Sequence, residues 1–273
     1  MVEIACLYPN ALGTDLTGLQ RCRDLGYEAV QLDPRAFAEP EALSGDTPLG
    51  AVFEAVERAG LRIAGWSGYG PLIGDTEAVE GHIAYLSRLL ALAGRAAREA
   101  QALAQPIVCT ETGAADRKRD GGELWEEQRR QLVGSLRRLA KVAEDSGAKV
   151  AIEPTRLHIV CDAKTARAVF EEVGSPALGV CYDPANIIRP EERLEETFGP
   201  LEAHILISHA KDVRFARDGS VMDYPPAGKG MLDYQEFFAL LGRLPSPHTL
   251  AVEYARSAEE LERVSGFLRG LRG

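Results

Sequence analysis

The amino-acid sequence predicts an α/β protein folded as a (β/α)8 barrel. Short apolar segments rich in Val, Ile and Leu alternate with longer segments of helical spacing along the whole chain, which is typical of parallel strands joined by helices. Eight such repeats within 273 residues fit a closed barrel. No Ser/Gly linker and no low-complexity stretch divides the chain, so we expect residues 1–273 to form a single domain.

The predicted strands are short apolar runs, each of which leads into a segment of helical spacing. In chain order they are IACLY (4–8), AVQLD (29–33), RIAGWS (62–67), PIVCTE (106–111), KVAIE (149–153), LGVCYD (178–183), ILISH (205–209) and TLAVEY (249–254). Active sites of (β/α)8 barrels are built at the C-terminal ends of the strands, so the residues that end these runs are the first candidates for function.

The segments between the strands have the apolar spacing of amphipathic helices. Leucine and valine recur every three or four residues in 132–142, before the fifth predicted strand, and again in 261–271 at the end of the chain. Ser257 followed by Glu260 three residues later predicts a capping box at the start of the last helix.

Charge, cysteine content and hydropathy restrict the class of protein. A formal net charge of −10 repels polyanions, which argues against a nucleic-acid partner. The five cysteines show no CxxC spacing, and three lie in predicted strands as small hydrophobes, so we expect a reducing, cytoplasmic location. No run of eighteen apolar residues and no signal-like N-terminus is present, so we expect a soluble protein without a membrane partner. The oligomeric state is left open, a homo-oligomer included.

The fifth to eighth predicted strands each carry, at their last or next-to-last residue, a side chain that binds metal ions: Glu153, Asp183, His209 and Glu253. One such residue could be a helix cap, but four on neighbouring strand ends predict a shared divalent cation. Three carboxylates and one imidazole favour Mn²⁺, Mg²⁺ or Co²⁺, with Zn²⁺ also allowed. Four protein ligands would leave two positions of an octahedron open, enough to chelate two adjacent oxygens of a hydroxy-ketone.

The predicted ligands lie within longer motifs. These are VAIEP (150–154), GVCYDPAN (179–186), SHAKD (208–212), GKGMLDY (228–234) and AVEY (251–254), supported by SGYG (67–70) and CTETG (109–113). In this order the motifs resemble those of the xylose isomerase-like TIM-barrel superfamily of sugar isomerases and epimerases, and the resemblance covers nearly the whole chain. It implies that Glu153, Asp183, His209 and Glu253 bind the metal ion, that both glutamates also act as acid and base, and that Lys211 lies beside the site.

The sequence departs from that pattern after Asp183. Several members carry a histidine three residues later that binds substrate or a second metal ion, and this chain has Asn186, which can hydrogen-bond a sugar hydroxyl but is a poor metal ligand. Relatives of the endonuclease IV type hold three zinc ions with further histidines, whereas here Asp223 is followed by Tyr224 without a D-x-H pair. We therefore expect one metal ion and no DNA-repair activity.

The predicted chemistry is the isomerisation or epimerisation of a sugar or keto-polyol through an enediolate. If Glu153 and Glu253 flank an α-hydroxy ketone, one can remove the proton beside the carbonyl and the other can return it to the opposite face. Return to the neighbouring carbon gives isomerisation, and loss of a β-hydroxyl gives dehydration, so a keto-polyol dehydratase like the inosose dehydratase relatives is an alternative. A non-catalytic sugar-binding barrel is another alternative, against which the intact pair of glutamates argues.

Further polar residues at the same rim are candidates for contact with a small-molecule substrate. They are Trp66, Tyr69, Glu111, His158, Asn186, Lys211 and Arg214. The glycines of 228–230 could offer backbone N–H groups to a phosphate, although such a segment is usually only a turn, so phosphorylation of the substrate is left open. His204 and His248 precede strands and His82 lies in a predicted helix, so we expect structural roles for these three.

Overall fold

The computed structural model describes residues 1–44, 49–100, 103–115 and 123–272. The strands within these residues are β1 (Val2–Tyr8), β2 (Ala29–Leu32), β3 (Arg62–Ser67), β4 (Ile107–Thr110), β5 (Lys149–Ile152), β6 (Leu178–Tyr182), β7 (Ile205–Ala210), β8 (Arg214–Phe215), β9 (Val221–Asp223) and β10 (His248–Val252). Eight of them close into a parallel barrel in the order β1-β10-β7-β6-β5-β4-β3-β2, which confirms the predicted fold class. The two short strands β8 and β9 form a separate antiparallel hairpin.

Helices connect the barrel strands. They are α1 (Thr17–Asp24), α2 (Gly50–Arg58), α3 (Thr76–Glu99), α4 (Glu123–Ser146), α5 (Ala163–Val173), α6 (Pro184–Ile187), α7 (Leu194–Phe198), α8 (Tyr234–Leu241) and α9 (Ala258–Gly270), with short 3-10 helices at Pro34–Ala36, Pro40–Ser44 and Gly199–His204. The longest, α3 and α4, have 24 residues each. None of the described helices combines the length and the apolar composition that crossing a bilayer requires.

The core has an outer and an inner part. The outer part lies between the barrel and its helices, where Trp66 of β3 packs edge-on against Phe53 of α2 with ring centroids 6.1 Å apart. Two smaller clusters of mostly small side chains come from strand residues alone: Ala5, Ala29, Ala64 and Ala251, and Cys109, Ala151, Cys181 and Ile207. Residues two apart on a strand share a face, so the second cluster lies directly below the residues at the strand ends.

The predicted strand boundaries differ from the observed ones by up to two residues. Glu153, Asp183 and Glu253 come directly after the last residue of their strands, whereas His209 lies inside β7. The backbone N–H groups of Glu153 and Glu253 still donate to carbonyl oxygens of the neighbouring strands, at 2.8 and 3.2 Å. The side chains are therefore held by the barrel ladder even though they project beyond it.

The predicted capping box of α9 forms only in part. The Ser257 hydroxyl accepts a hydrogen bond from the Glu260 backbone N–H at 3.1 Å, as expected for an N-cap. The Glu260 carboxylate, however, accepts from the backbone N–H of Arg256 at 2.7 Å and not from that of Ser257. The helix begins where the sequence predicted, with its second capping contact moved one residue upstream.

Candidate metal centre

Four strand ends bring Glu153, Asp183, His209 and Glu253 to one point. One ligand atom from each residue lies within 4.8 Å of all the others. Metal–ligand bonds for divalent cations are about 2.0–2.6 Å, so atoms on opposite sides of an ion are separated by up to roughly twice that length. The four groups can therefore contact a single cation. Asp183 and His209 are fully buried, and Glu153 is nearly so.

The orientation of His209 is set by a residue that the sequence analysis did not single out. Gln31, on β2, donates through its amide nitrogen to the Ser67 hydroxyl at 3.0 Å, so its carbonyl oxygen is left to accept from His209 Nε2 at 2.9 Å. This bond places a ring proton on Nε2, so Nδ1 is the nitrogen that can offer a lone pair to a cation. Burial lowers the pKa of His209, but the charges of Glu153 and Glu253 outweigh burial and raise that pKa well above its usual value, so a cation would have to displace a proton from Nδ1. The sequence signal that could have identified Gln31 is a single amide within the apolar run AVQL. In the structure this side chain is fully buried.

His209 Nδ1 faces the carboxylates. It lies 3.6 Å from Glu153 Oε2 and 3.6 Å from Glu253 Oε1, and it has no hydrogen-bond partner among the described residues. A buried polar atom without a partner is costly unless something else binds it. A cation between these groups would satisfy the nitrogen and both carboxylates, so the donor set fits a divalent metal ion.

Asp183 is held by the turn that follows β6. Its Oδ1 caps α6 by accepting from the Ala185 backbone N–H at 2.9 Å, and Pro184 occupies the first helical position. The second oxygen, Oδ2, is thereby directed to the site, where it forms an ion pair with Lys211 Nζ at 2.6 Å. One oxygen of the Asp183 carboxylate thus caps the helix, and the other faces the candidate metal centre.

Lys211 lies between the carboxylates of Asp183 and Glu253. Its Nζ is 2.5 Å from Glu253 Oε1 and 5.0 Å from the centre of the Tyr254 ring. Burial lowers the pKa of Lys211, but the carboxylates of Asp183 and Glu253 outweigh burial and hold that pKa well above its usual value. The ammonium therefore stays charged at neutral pH.

The electrostatic balance of the cluster favours a cation. Burial alone would raise the pKa of Glu253, but Lys211 and His209 outweigh it and hold that pKa well below its usual range. Burial raises the pKa of Asp183 well above its usual value, and the charges of Glu253 and Glu153 add to that effect although Lys211 opposes it. The carboxylates therefore repel one another, and a divalent cation among them would relieve that repulsion.

Asn186 contacts Glu153. Its side-chain amide donates to Glu153 Oε1 at 2.6 Å, and the residue is 5% exposed. The sequence analysis expected Asn186 to contact a sugar hydroxyl, whereas in the structure this side chain orients a candidate ligand. Since Oε1 is held by Asn186, Oε2 is the Glu153 oxygen that faces His209.

Three of the other candidates for substrate contact surround the site. The Tyr69 hydroxyl lies 3.5 Å from the amide nitrogen of Gln31. Glu111 and His158 approach each other to 3.9 Å between Oε2 and Nε2. Burial, followed by the charge of Glu153, raises the pKa of Glu111, and burial lowers the pKa of His158. These three side chains could contact a substrate held at the strand ends.

Two candidates are not brought to the site. Trp66 is fully buried, and its indole N–H donates to the Gln105 carbonyl at 3.0 Å in the layer between barrel and helices. Side chains alternate along a strand, and Trp66 falls on the outer face of β3. Arg214 is exposed on the β8–β9 hairpin, where its Nε donates to Asp223 Oδ1 at 2.8 Å. Neither position supports the expected substrate contact.

The glycine-rich segment 228–230 is held by Asp212. This buried carboxylate accepts hydrogen bonds from the backbone N–H groups of Gly228 at 3.1 Å and Leu232 at 3.0 Å. A Cβ on Gly230 would collide with the same carboxylate, so only glycine fits there. The N–H group of Gly228 is therefore already bound, as is that of Lys229, which donates to the Pro226 carbonyl at 3.1 Å, so neither is available to a phosphate.

Comparisons with known proteins relate the chain to one family. A family model described as a xylose isomerase-like TIM barrel matches residues 19–271. A curated relative, 3-oxo-isoapionate decarboxylase of Pectobacterium atrosepticum, is 34% identical over 71 residues, or 24% of this chain and 26% of the relative. The chain therefore matches about a quarter of the length of that relative.

Solved structures share the fold over almost the whole chain. A xylose isomerase domain protein from Planctomyces limnophilus has a TM-score of 0.76 at 19% identity, covering 99% of this chain and 96% of that one. The 3-keto-D-glucoside 4-epimerase of E. coli has a TM-score of 0.75 at 16% identity, with coverages of 99% and 100%. A xylose isomerase-like protein from Mycobacterium smegmatis, in complex with magnesium, has a TM-score of 0.71 at 17% identity, with coverages of 99% and 95%. At these identities the likeness shows the fold alone.

Proposed function

The chain belongs to the xylose isomerase-like TIM-barrel family, and from this premise we propose that it is a divalent-metal-dependent isomerase or epimerase of a sugar or keto-polyol. The observation that carries the proposal is the grouping of Glu153, Asp183, His209 and Glu253 around one point, with His209 Nδ1 directed at both glutamates. A structural role would not require two buried carboxylates and a third, partly buried one to converge on an imidazole nitrogen that has no hydrogen-bond partner among the described residues.

The proposed cofactor is one divalent cation bound by these four residues. The mostly oxygen donor set favours Mn²⁺, Mg²⁺ or Co²⁺, and Zn²⁺ is also compatible with it. When bound, the ion would polarise a carbonyl group and stabilise negative charge on its oxygen. The magnesium complex of a protein with the same fold supports a cation of this class.

Proton transfer is assigned to the two glutamates. They lie on β5 and β10, with β6 and β7 between them in the barrel, so they approach a substrate at the strand ends from two sides. One carboxylate would take the proton from the carbon beside the carbonyl, and the other would return a proton to the opposite face or to the neighbouring carbon. The first outcome is epimerisation and the second is isomerisation.

Lys211 is proposed to contact the substrate. Its ammonium lies 2.5 Å from Glu253 and above the face of Tyr254. A buried ammonium can donate a hydrogen bond to a substrate oxygen that gains negative charge in an enediolate, where it would act as a fixed positive group. The rings of Tyr224 and Tyr254 would stabilise the ammonium when it turns from the carboxylates to the substrate.

The test combines amide substitution with isotope exchange. Glu153→Gln and Glu253→Gln each keep an oxygen that can bind metal but remove the base, so turnover should fall by a factor of at least about 10² while most of the metal is retained. The assay measures deuterium incorporation from D₂O into a panel of ketoses and keto-polyols, together with the metal content of each variant. One of the two variants should still exchange the α-proton, because it lacks only the partner on the opposite face.

The matched control is Glu3→Gln. Glu3 is a partly buried carboxylate on β1 that accepts from Thr249 at 3.0 Å, at the opposite end of the barrel from the proposed site. Its turnover should stay within a small factor of the wild type. If Glu153→Gln and Glu253→Gln both behave like this control on the true substrate, the two-carboxylate mechanism is wrong, and His158 would become the candidate base.

A lyase is the second candidate, favoured by the match to the curated decarboxylase. Loss of CO₂ from a 3-oxo acid breaks the C–C bond and leaves its electron pair in an enolate, which either glutamate could protonate at carbon. Loss of a β-hydroxyl as water, from the enediolate that a glutamate forms by removing the α-proton, would instead make the enzyme a keto-polyol dehydratase. Release of CO₂ from 3-oxo sugar acids added to the panel, or of water from its keto-polyols, without an epimer or isomer, would select a lyase over the leading proposal.

A further inference from the structure

Two thiols lie directly beneath the candidate metal centre. Cys109 of β4 and Cys181 of β6 are both fully buried and belong to one small cluster of strand residues. Cys181 precedes the candidate ligand Asp183 by two residues, and side chains two apart on a strand share a face, so it projects into the barrel one layer below that ligand. The pair forms part of the floor of the site.

The thiols share His209 with the carboxylates above them. A ligand atom from each of Cys109, Cys181 and His209 lies within 4.8 Å of the other two. In tetrahedral zinc sites the bonds are about 2.3 Å to sulfur and 2.0–2.1 Å to nitrogen, so the ligand atoms are separated by roughly 3.4–3.8 Å. Small side-chain rotations would bring the three atoms into that range. Glu153 Oε2, 3.6 Å from His209 Nδ1, is placed to supply a fourth ligand.

The two ligand sets differ in chemistry. Thiolates and imidazole select soft or borderline cations such as Zn²⁺ and Cd²⁺, whereas carboxylates favour Mg²⁺ and Mn²⁺. From this arrangement we propose that Cys109, Cys181 and His209 form a second, soft-cation site below the carboxylate site. Binding there would replace the two thiol protons with two metal–sulfur bonds and release the protons to solvent.

Occupation of the two sites is mutually exclusive, because both sets include His209 and its Nε2 already donates to Gln31, which leaves Nδ1 alone to bind a cation. A soft cation bound to the thiols would remove the imidazole from the carboxylate site, and a hard cation held by the carboxylates would keep it there. This consequence rests on the proposed metal centre, whereas binding at the thiols does not. The inference therefore predicts competition between Cd²⁺ and Mn²⁺ even though they prefer different ligands.

The chain contains a second thiol pair that serves as a control. Cys6 and Cys22 are buried with their sulfurs 3.6 Å apart, but their polar neighbour is the Asn10 amide, which donates to Cys6 at 3.4 Å. Among the residues that the structure describes, this pair has no imidazole or carboxylate ligand to complete a metal site. If paired thiols alone were sufficient, Cys6 and Cys22 would bind a soft cation equally well.

The experiment titrates metal-free protein, kept reduced, with Cd²⁺ and records thiolate-to-metal charge-transfer absorption in the ultraviolet. Wild type and Cys22→Ser should each show this absorption with one equivalent of Cd²⁺ per chain. Cys109→Ser and Cys181→Ser should lose about half or more of this absorption. They should also bind Cd²⁺ at least about tenfold more weakly, because removing even a residue that only supports a metal ligand weakens binding by about 10–100-fold. Their Mn²⁺ affinity should stay near that of the wild type, which also reports an intact fold.

Two results would overturn the proposal. The first is retention of the full absorption in Cys109→Ser and Cys181→Ser, or its loss in Cys22→Ser. The second needs no variant: if Mn²⁺ binds to Cd²⁺-loaded wild type without reducing the thiolate absorption, the two sites do not share His209. Should a serine variant fail to fold, the corresponding alanine variant and the wild-type competition decide the question.

Discussion

Gln31 illustrates how a single residue can set the chemistry of the site without touching a substrate. It fixes the ring proton of His209 on Nε2 and is itself anchored by Ser67. Polar groups that orient a metal-binding histidine raise its basicity and restrict its rotation. Gln31 is therefore a positioning residue. Its replacement should lower the metal affinity directly and should lower turnover only through the loss of bound metal.

Replacement of Gln31 should weaken metal binding. Gln31→Leu removes the acceptor for His209, and we expect the affinity for Mn²⁺ to fall by about 10–100-fold in calorimetry. Gln31→Glu keeps an acceptor oxygen and should recover much of that loss. Gln128→Leu, a change at a buried glutamine in α4, is the matched control and should leave affinity unchanged. Equal affinities for wild type and Gln31→Leu would contradict the positioning role.

The sequence predicted which residues end the strands but not how their side chains are held. Glu153 and His209 could be selected because strand ends in such barrels face one opening. Gln31 could not be connected to His209, because the two are 178 positions apart and only barrel closure brings β2 near β7. Asn186 was assigned to the substrate because sequence spacing gives the position of an amide but not its hydrogen-bond partner.

At the level of elements, the eight barrel strands were predictable and the β8–β9 hairpin was not. Long apolar runs identify buried strands, whereas strands of two and three residues carry no periodicity. The hairpin explains the position of Arg214, which pairs with Asp223 across its two strands instead of reaching the site. Trp66 was misplaced for another reason, since the sequence does not state which face of β3 is inside.

Two glycines of α3 should respond in opposite directions to the same substitution. Gly81 is exposed with open space around it, so Gly81→Ala should raise the free energy of unfolding by about 0.5–1 kcal/mol through better helix propensity. A Cβ on Gly94 would collide with the backbone carbonyl of Ser146 at the end of α4. Gly94→Ala should therefore lower the free energy of unfolding by about 1–3 kcal/mol. Urea denaturation measures both.

This pair of variants tests how closely α3 and α4 pack. Both changes add the same methyl group to the same helix, so propensity cancels in the comparison and only the α3–α4 contact remains. If Gly94→Ala is as stable as Gly81→Ala, the two helices do not approach as closely as the Ser146 carbonyl indicates.

For the whole molecule, the cation should couple the four neighbouring strand ends that hold its ligands to global stability. The four ligands are spread over residues 153–253, and the unfolded chain does not hold them together. A ligand that binds only the folded state at 100 times its Kd adds about 2.7 kcal/mol of stability, which is roughly 5 °C in Tm for a chain of this size. We expect Mn²⁺ or Mg²⁺ to raise the Tm of the wild type by about that amount.

His209→Ala should abolish most of this shift in Tm, because it removes the only imidazole of the proposed set and leaves three carboxylates that repel one another. Leu139→Ala, a change at a fully buried position of α4 in the outer part of the core, should lower the starting Tm but keep the cation-dependent rise. Metal analysis of the same samples should find one ion per chain, since among the described residues no further histidine joins the four ligands. Two or three tightly bound zinc ions per chain, or the same Tm rise in His209→Ala, would require a different metal centre from the one that these four strand ends define.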